Sequence, residues 1–226
     1  MEYSSLKLEK MLASNKNESC LSAINIYKDL ALEYESVLDE VVTKLTIINR
    51  DIAHNHSGIR RDIIQQIKSR IKTMESLVNK LNRLELNFSS NIVKKEIFDF
   101  AGIRVICSYV DDIYWLFETL TRQEDITIVE VKDYIKNPKK NGYKSLHVIL
   151  EVPVYFAEET NYLKIEVQFR TLAMDFWASL EHGIKYKRHT NDSKLSQRLL
   201  KVSETISEME EEMLLIRKEI EEEATH

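Results

Sequence analysis

Glycine and proline are scarce in this chain, at four and two residues of 226. With so few turn-forming positions, the composition favours long helices joined by few loops. Cysteine is nearly absent: Cys20 and Cys107 lie far apart, without CxxC or Cys/His ligand spacing. That excludes a disulfide framework and a structural zinc site, and a reduced, cytoplasmic setting is expected. No apolar run approaches the ~18 residues of a membrane span, and the opening MEYSSLKLEK lacks the apolar core of a signal peptide. Neither export nor membrane insertion is expected. The G-x-x-x-x-G-K-[ST] loop and the G-x-G-x-x-G turn are both missing, which excludes P-loop and Rossmann phosphate binding. There is no serine nucleophile elbow, and neither cysteine has an activating neighbour.

What is present is an ordinary composition, 43% hydrophobic and 31% charged with a formal net charge of -5. Its length suits one α/β domain with attached helices, or at most two small domains. The charge is segregated. Residues 204–223 hold nine glutamates against Arg217 and Lys218, whereas Arg60 to Arg83 holds seven basic residues against Asp62 and Glu75. A basic segment on a near-neutral body implies a local anionic partner rather than general affinity for nucleic acid.

Tyr27, Ala31, Tyr34, Leu38, Val41, Leu45 and Ile48 recur at alternating steps of four and three, predicting a long helix over about 23–50 with one apolar stripe. DIAHNHSGI breaks it at Ser57-Gly58, and His54 and His56, lacking any surrounding ligand pattern, read as part of an exposed turn. The segment SRIKTMESLVNKLNRLELN divides at Thr73. Before it, Arg70 and Lys72 share one side of an extended backbone. After it, Met74, Leu77, Val78, Leu81 and Leu84 form a helical core stripe, with Ser76, Lys80 and Arg83 on the far side. No acids interleave on that far face, where ion pairs are usual, so it reads as a phosphate site rather than a solvated surface.

EIFDFAGIRVICSYVDD reads as a short helical approach and a strand, Ile103 to Ser108. Asp99 precedes the strand, Gly102 would let the backbone pass close to a neighbour, and Arg104 points opposite Val105 and Cys107. Asp111 and Asp112 read as an N-cap pair for a helix from Ile113 to Arg122. Strands at Ile126 to Lys132 and Ser145 to Val152 enclose a loop marked by Pro138 and Asn141-Gly142. Lys132, Lys136, Lys139, Lys140 and Lys144 surround Tyr143 there, with His147 just inside the next strand. Cations around an aromatic ring suit a nucleotide, the ring stacking on a base while the lysines meet phosphates; a basic surface loop is the alternative.

The stretch NYLKIEVQFRTLAMDFWASLEH runs from a strand into a helix. Alternation puts Lys164, Glu166, Gln168 and Arg170 on one face, and Ile165, Val167 and Phe169 on the other. Leu172, Phe176, Leu180 and Ile184 make one stripe of the helix, with Trp177 beside it. From Leu195, the residues Leu199, Val202, Ile206, Met209, Met213, Ile216 and Ile220 keep a three/four spacing, which predicts pairing with the N-terminal helix or with another subunit. Two carboxylates, Asp99 and Glu166, among many cations and no covalent nucleophile fit metal-assisted transfer of a phosphate-type group. The expected fold is α+β, a central mixed sheet of about five strands flanked by helices. It divides into a helical segment 1–58, a catalytic domain 59–190 and a C-terminal helix 191–226.

FDFAGIRVICSYVDDIY, VKDYIKNPKKNGYKSLH and KIEVQFRTLAMDFWASLEHGIKYK resemble, within about 70–187, the synthetase domain of the RelA/SpoT family, in particular its stand-alone small alarmone synthetases. The resemblance implies a nucleotidyltransferase-like sheet. It implies transfer of the β,γ-pyrophosphoryl group of ATP to the ribose 3′-OH of GDP or GTP, giving AMP and (p)ppGpp with magnesium in the stringent response. On the matching positions, Asp99 would bind magnesium, and Glu166 would activate the acceptor hydroxyl and share the metal. Arg70 and Arg104 would sandwich the adenine, with Lys72, Lys80 and Arg83 on the ATP phosphates and Ser76 close by. Tyr143 would stack on guanine, Lys132, Lys139 and His147 would face the acceptor's phosphates, and Gln168, Asp175 and Glu181 would line the acceptor side. Lys132 and Lys144 stand where many members have Arg, and Asp175 where some have Asn, which bears on the choice between GDP and GTP. Family hydrolase domains use an adjacent His-Asp pair, and none of the six histidines is followed by Asp, so synthesis without hydrolysis is expected. A homotetramer using the terminal helices is also implied. The competing reading is a catalytically silent guanine-nucleotide or alarmone-binding regulator.

Overall fold

A computed structural model describes residues 20–55, 63–187 and 193–223. The predicted turn at His56, Ser57 and Gly58 lies outside the described residues. Helix α1 (Cys20–Asn55) extends past the expected 23–50 at both ends. Leu30 and Val37 join Tyr34, Val41 and Leu45 in full burial, because the core-facing stripe of a globular helix is wider than a single three/four line. Tyr34 meets Phe100 edge to face at 4.8 Å, and the Tyr27 hydroxyl donates to the Lys72 carbonyl at 3.2 Å. These contacts fix the backbone on either side of Asp99 and Lys72.

Five strands follow: β1 (Ile64–Ile71), β2 (Ala101–Cys107), β3 (Thr127–Asp133), β4 (Leu146–Tyr155) and β5 (Thr160–Thr171). They form one sheet in the order β1-β2-β5-β4-β3, with β2 and β5 parallel and the other neighbours antiparallel. This is the mixed five-stranded α+β sheet that the sequence implies. Pro153 is tolerated inside β4 because β3 stops pairing at Glu151, so its missing N–H leaves no ladder bond open. Short helices α2 (Met74–Arg83) and α3 (Ser90–Glu96) link β1 to β2, and α4 (Val110–Thr121) links β2 to β3.

One face of the sheet is core. Ile103 and Val105 of β2, Val148 and Leu150 of β4, and Ile165, Val167 and Phe169 of β5 are buried in one cluster that includes α1. The opposite face is polar by register. Lys68, Arg104, Gln168, His147 and Lys132 stand on a single rung that crosses all five strands, and the adjacent rung carries Arg70, Gly102, Glu166, Ile149 and Glu130. Because side chains alternate across each strand, these charged positions share the face away from α1.

Three expectations change. Asp111 and Asp112 are not N-caps: α4 starts at Val110, and the Asp112 carboxylate accepts the Tyr109 backbone N–H at 3.2 Å from within the first turn. Leu84 leaves the apolar stripe of α2 and is exposed, because the helix ends at Arg83. The largest change concerns the last two helices, α5 (Leu172–Lys187) and α6 (Ser193–Glu223). In α5 the predicted stripe is exposed, Leu172, Phe176 and Leu180 by more than half and Ile184 by 38%, and Met174, Trp177 and Ala178 are buried instead. Helix α6 packs against α5, not along α1; Leu195, Leu199 and Ile206 of its predicted seam are half-buried, while Val202, Met209, Met213, Ile216 and Ile220 face outward. The face that docks is polar, with Ser203 and Arg217 buried and Arg217 paired to Asp111 and Asp112. Among the described residues, no helix is long and apolar enough to cross a membrane.

Candidate active site

A cleft of about 360 Å³ lies on the polar face, lined by Arg70, Asp99, Gly102, Arg104, Glu166 and Gln168 among others. That volume is in the range of small-molecule sites. Gly102 forms part of the floor. A Cβ there would meet nothing nearer than the Glu166 carbonyl oxygen at 3.7 Å, an ordinary contact. The sequence pattern suggests that Gly102 allows a close backbone passage, and this distance corrects that expectation; the glycine instead leaves open the space between Arg70 and Glu166 on its rung.

At one end Asp99 is held between two ammonium groups, Lys80 at 2.5 Å and Lys72 at 3.2 Å. Burial pushes its carboxyl up, but the two lysines outweigh that and hold it below the ordinary aspartate range. The backbone supports this cluster: the Lys72 N–H donates to the Phe100 carbonyl at 2.7 Å. Ser76 is bonded into the start of α2, where Thr73 Oγ1 donates to its hydroxyl and accepts its amide N–H. Arg83, one turn beyond Lys80, is exposed to solvent, and Arg70 is an exposed wall of the cleft.

The other end is a hydrogen-bonded chain. Arg170 donates to the Tyr143 hydroxyl at 2.7 Å, and that hydroxyl lies 2.7 Å from His147 Nε2. His147 Nδ1 lies 3.3 Å from Glu166 Oε1, while Gln168 donates to Glu166 Oε2 at 2.6 Å. His147 thus joins the Tyr143 hydroxyl to the Glu166 carboxylate through its two ring nitrogens. Burial alone would raise the Glu166 carboxyl, but the His147 and Gln168 contacts outweigh it and keep the group below the ordinary glutamate range. Asp175, in the first turn of α5, bridges Arg170 at 3.0 Å and Arg104 at 3.3 Å. It acts as a clamp between two guanidinium groups.

The remaining predicted positions separate. Lys139 lies over the rings of Tyr134 and Tyr143, at 4.5 and 4.8 Å. Lys132 is on the site rung but at its rim, paired with Glu130 at 2.8 Å. Glu181 is buried behind the loop and accepts from Asn141 at 2.9 Å. Lys144 turns away from the cleft to donate to Ser207 of α6 at 2.5 Å.

Two residues escaped the sequence reading as site members. Arg170 is 5% exposed and joins Asp175, Gln168 and Tyr143. Its place on the polar alternation of β5, five residues before an acid, is the signal that could have found it. Lys68 lines the cleft on the same rung as Arg104, and period-two spacing from Arg70 marks it.

Asp99 and Glu166 are the carboxylates lining the cleft, and no cluster of three or more His, Cys, Asp or Glu occurs among the described residues. Two hard oxygen donors completed by substrate phosphates form a set that magnesium accepts. Burial pushes the Cys107 thiol up, which leaves it a poor nucleophile at neutral pH. Two ionised carboxylates thus lie between an ammonium cluster and an aromatic–guanidinium network, an arrangement that could serve transfer between phosphorylated substrates.

Known proteins place this site in a family. The family model for the region found in RelA / SpoT proteins matches residues 69–191. The GTP pyrophosphokinase YwaC of Bacillus subtilis (strain 168) is 44% identical over 197 residues, 86% of this chain and 91% of that one. The crystal structure of small alarmone synthetase 2 from Bacillus subtilis superimposes with a TM-score of 0.75 at 43% identity, covering 85% of this chain and 98% of that one. Small alarmone synthetase 1 of the same organism, crystallised with its product pppGpp, gives a TM-score of 0.75 at 31% identity over 86% of this chain and 97% of that one. The chain belongs to the RelA/SpoT family.

Proposed function

We propose that this chain is a (p)ppGpp synthetase, moving the β,γ-pyrophosphoryl group of ATP onto the ribose 3′-hydroxyl of GDP or GTP. The observation that carries this reading is Glu166, ionised between the lysine-held carboxylate of Asp99 and the Tyr143–His147 chain. The similarity to chains named GTP pyrophosphokinase supports the same chemistry. In the reaction, the acceptor 3′-oxygen bonds to the β-phosphorus of ATP as the bond from that phosphorus to the α,β-bridging oxygen breaks. AMP leaves with the bridging oxygen, and the hydroxyl proton passes to a Glu166 oxygen. Lys72 and Lys80 move from Asp99 onto the triphosphate, Arg70 and Arg104 flank the adenine, and Tyr143 stacks on guanine. Asp99 and Glu166 would hold magnesium, which when bound neutralises phosphate charge.

The adjacent His-Asp pair on which hydrolase domains of the family rely does not occur in this sequence, so the activity proposed is synthesis without hydrolysis of the product. The outward apolar seam of α6 and the exposed stripe of α5 support a homo-oligomer, a tetramer by likeness to the family, working in the cytoplasm where its nucleotides are. Incubation with ATP, GDP and magnesium should yield AMP and ppGpp. Glu166→Gln should lower AMP formation at least about 100-fold while GDP still binds by calorimetry. Undiminished turnover in this variant would remove Glu166 from the chemistry, and GDP binding without AMP in the parent chain would favour the silent regulator.

A further inference from the structure

We infer that the inner, polar face of α6 positions the acceptor loop, with Ser203 and Ser207 setting where Tyr143 stands although neither lines the cleft. The inference rests on the proposed role of Tyr143 in acceptor binding. Gly142 has φ +90°, a backbone state that favours glycine, and a Cβ there would lie 2.7 Å from the Ser203 Cβ. The turn is therefore pressed against α6 with no spare space. Ser203 Oγ, itself buried, donates to the Gly142 carbonyl at 2.5 Å. On the far side of Tyr143, Lys144 Nζ donates to Ser207 Oγ at 2.5 Å. Both neighbours of the ring-bearing residue are thus tied to the same helix, one turn apart.

The tie extends along the loop and the helix. The Gly142 N–H closes onto the Lys139 carbonyl at 2.8 Å, and the Lys139 N–H onto the Tyr143 carbonyl at 3.1 Å, so the turn moves as a unit. Ser207 Oγ also donates to the Ser203 carbonyl at 2.9 Å, coupling the two attachment points. Farther along this face, Glu210 meets Thr171, the residue that follows Arg170 at the end of β5. Helix α6 thereby grips the loop and the end of the catalytic strand together. Tyr143 reaches His147 through its hydroxyl, so a displaced loop separates the ring from the Glu166 chain. A contact serving stability alone would have no reason to affect one substrate more than the other. Positioning of Tyr143 predicts selectivity for the acceptor.

The test uses the full chain carrying Ser203→Ala with Ser207→Ala, and separately Lys144→Met, which cuts the same tie from the loop side and leaves α6 intact. KM for GDP should rise about three- to tenfold, the loss of one or two hydrogen bonds, while KM for ATP and kcat stay within about twofold. Hydrogen exchange of the amides of residues 139–144 should accelerate while β2 and β5 stay protected. An unchanged KM for GDP in both variants would overturn the inference, as would a parallel rise in both KM values with a falling Tm. Should the parent chain form no AMP, the proposed function fails by itself; exchange and calorimetric GDP binding still judge the loop, and unaltered exchange in the variants overturns its attachment to α6.

Discussion

The two ends of the cleft hold their charges by different means. Asp99 sits between Lys72 and Lys80, two ammonium groups on flexible stems with 18% and 22% side-chain exposure. Arg170, at the other end, has a side-chain exposure of 6% and shares partners with Tyr143, Gln168 and Asp175. Lysine is a compact point charge that can change partners with little rearrangement, whereas a guanidinium in a closed network fixes several neighbours at once. On the proposed function, the first end would meet polyphosphate charge and the second would hold a direction. A transfer reaction needs both, because in-line attack depends on orientation as well as on neutralised charge.

Mutations can break this contrast, and the largest effect is expected at the network end. Arg170→Ala removes the guanidinium shared by Asp175, Tyr143 and Gln168, and should cost about 3 kcal/mol in urea unfolding, as for a broken buried pair. A loss below about 1 kcal/mol would make the network a surface-like arrangement. Lys80→Ala at the charge end, where Lys72 still faces Asp99, should cost less in unfolding than Arg170→Ala, raise KM for ATP about tenfold and spare KM for GDP. That effect should shrink as salt is added, because these half-buried charges open onto the cleft and are partly screened; a salt-independent effect would place Lys80 in packing rather than in charge.

The subtlest variant, His147→Ala, tests how the network tunes Glu166. His147 holds the carboxylate below its ordinary range against burial, so the ionised form persists as pH falls. Without the imidazole, burial is less opposed and the carboxyl titrates at higher pH. The acidic limb of the pH–rate profile should move upward. The sign for stability follows: a depressed folded-state pKa contributes stability present above the unfolded value and lost as pH falls through the folded one. In the variant that acid-side loss should begin at higher pH. An unmoved acidic limb would detach His147 from Glu166.

Much of this was legible from residue patterns because it depends on period alone. Alternation along β5 separated Glu166 and Gln168 from Val167 and Phe169, and the register of four neighbouring pairs then aligned the polar side chains into rungs. Helix α1 and helix α6 show where that logic stops. Both carry three/four apolar spacing, yet α1 buries its stripe while α6 turns its seam outward and docks through Ser203, Ser207 and Arg217. Spacing identifies a helix with two unlike faces but not which face meets the rest of the chain. That choice is made by the carbonyl of Gly142 and the carboxylates of Asp111 and Asp112, groups distant in sequence. Arg170 escaped for the same reason, since its neighbours Tyr143 and Asp175 come from a loop and a different helix.

The rungs also set how this site can change over evolutionary time. Inserting or deleting one residue inside β5 would exchange Glu166 and Gln168 with Val167 and Phe169, placing carboxylate in the core and hydrocarbon in the cleft. Length variation in the central strands is therefore barred. Substitution is not: a side chain on the open face can be replaced without disturbing the buried one behind it. New acceptor preferences are expected to arise by point replacement at positions such as Lys132, or by changes in the 139–144 loop, while the spacing of the strands stays fixed.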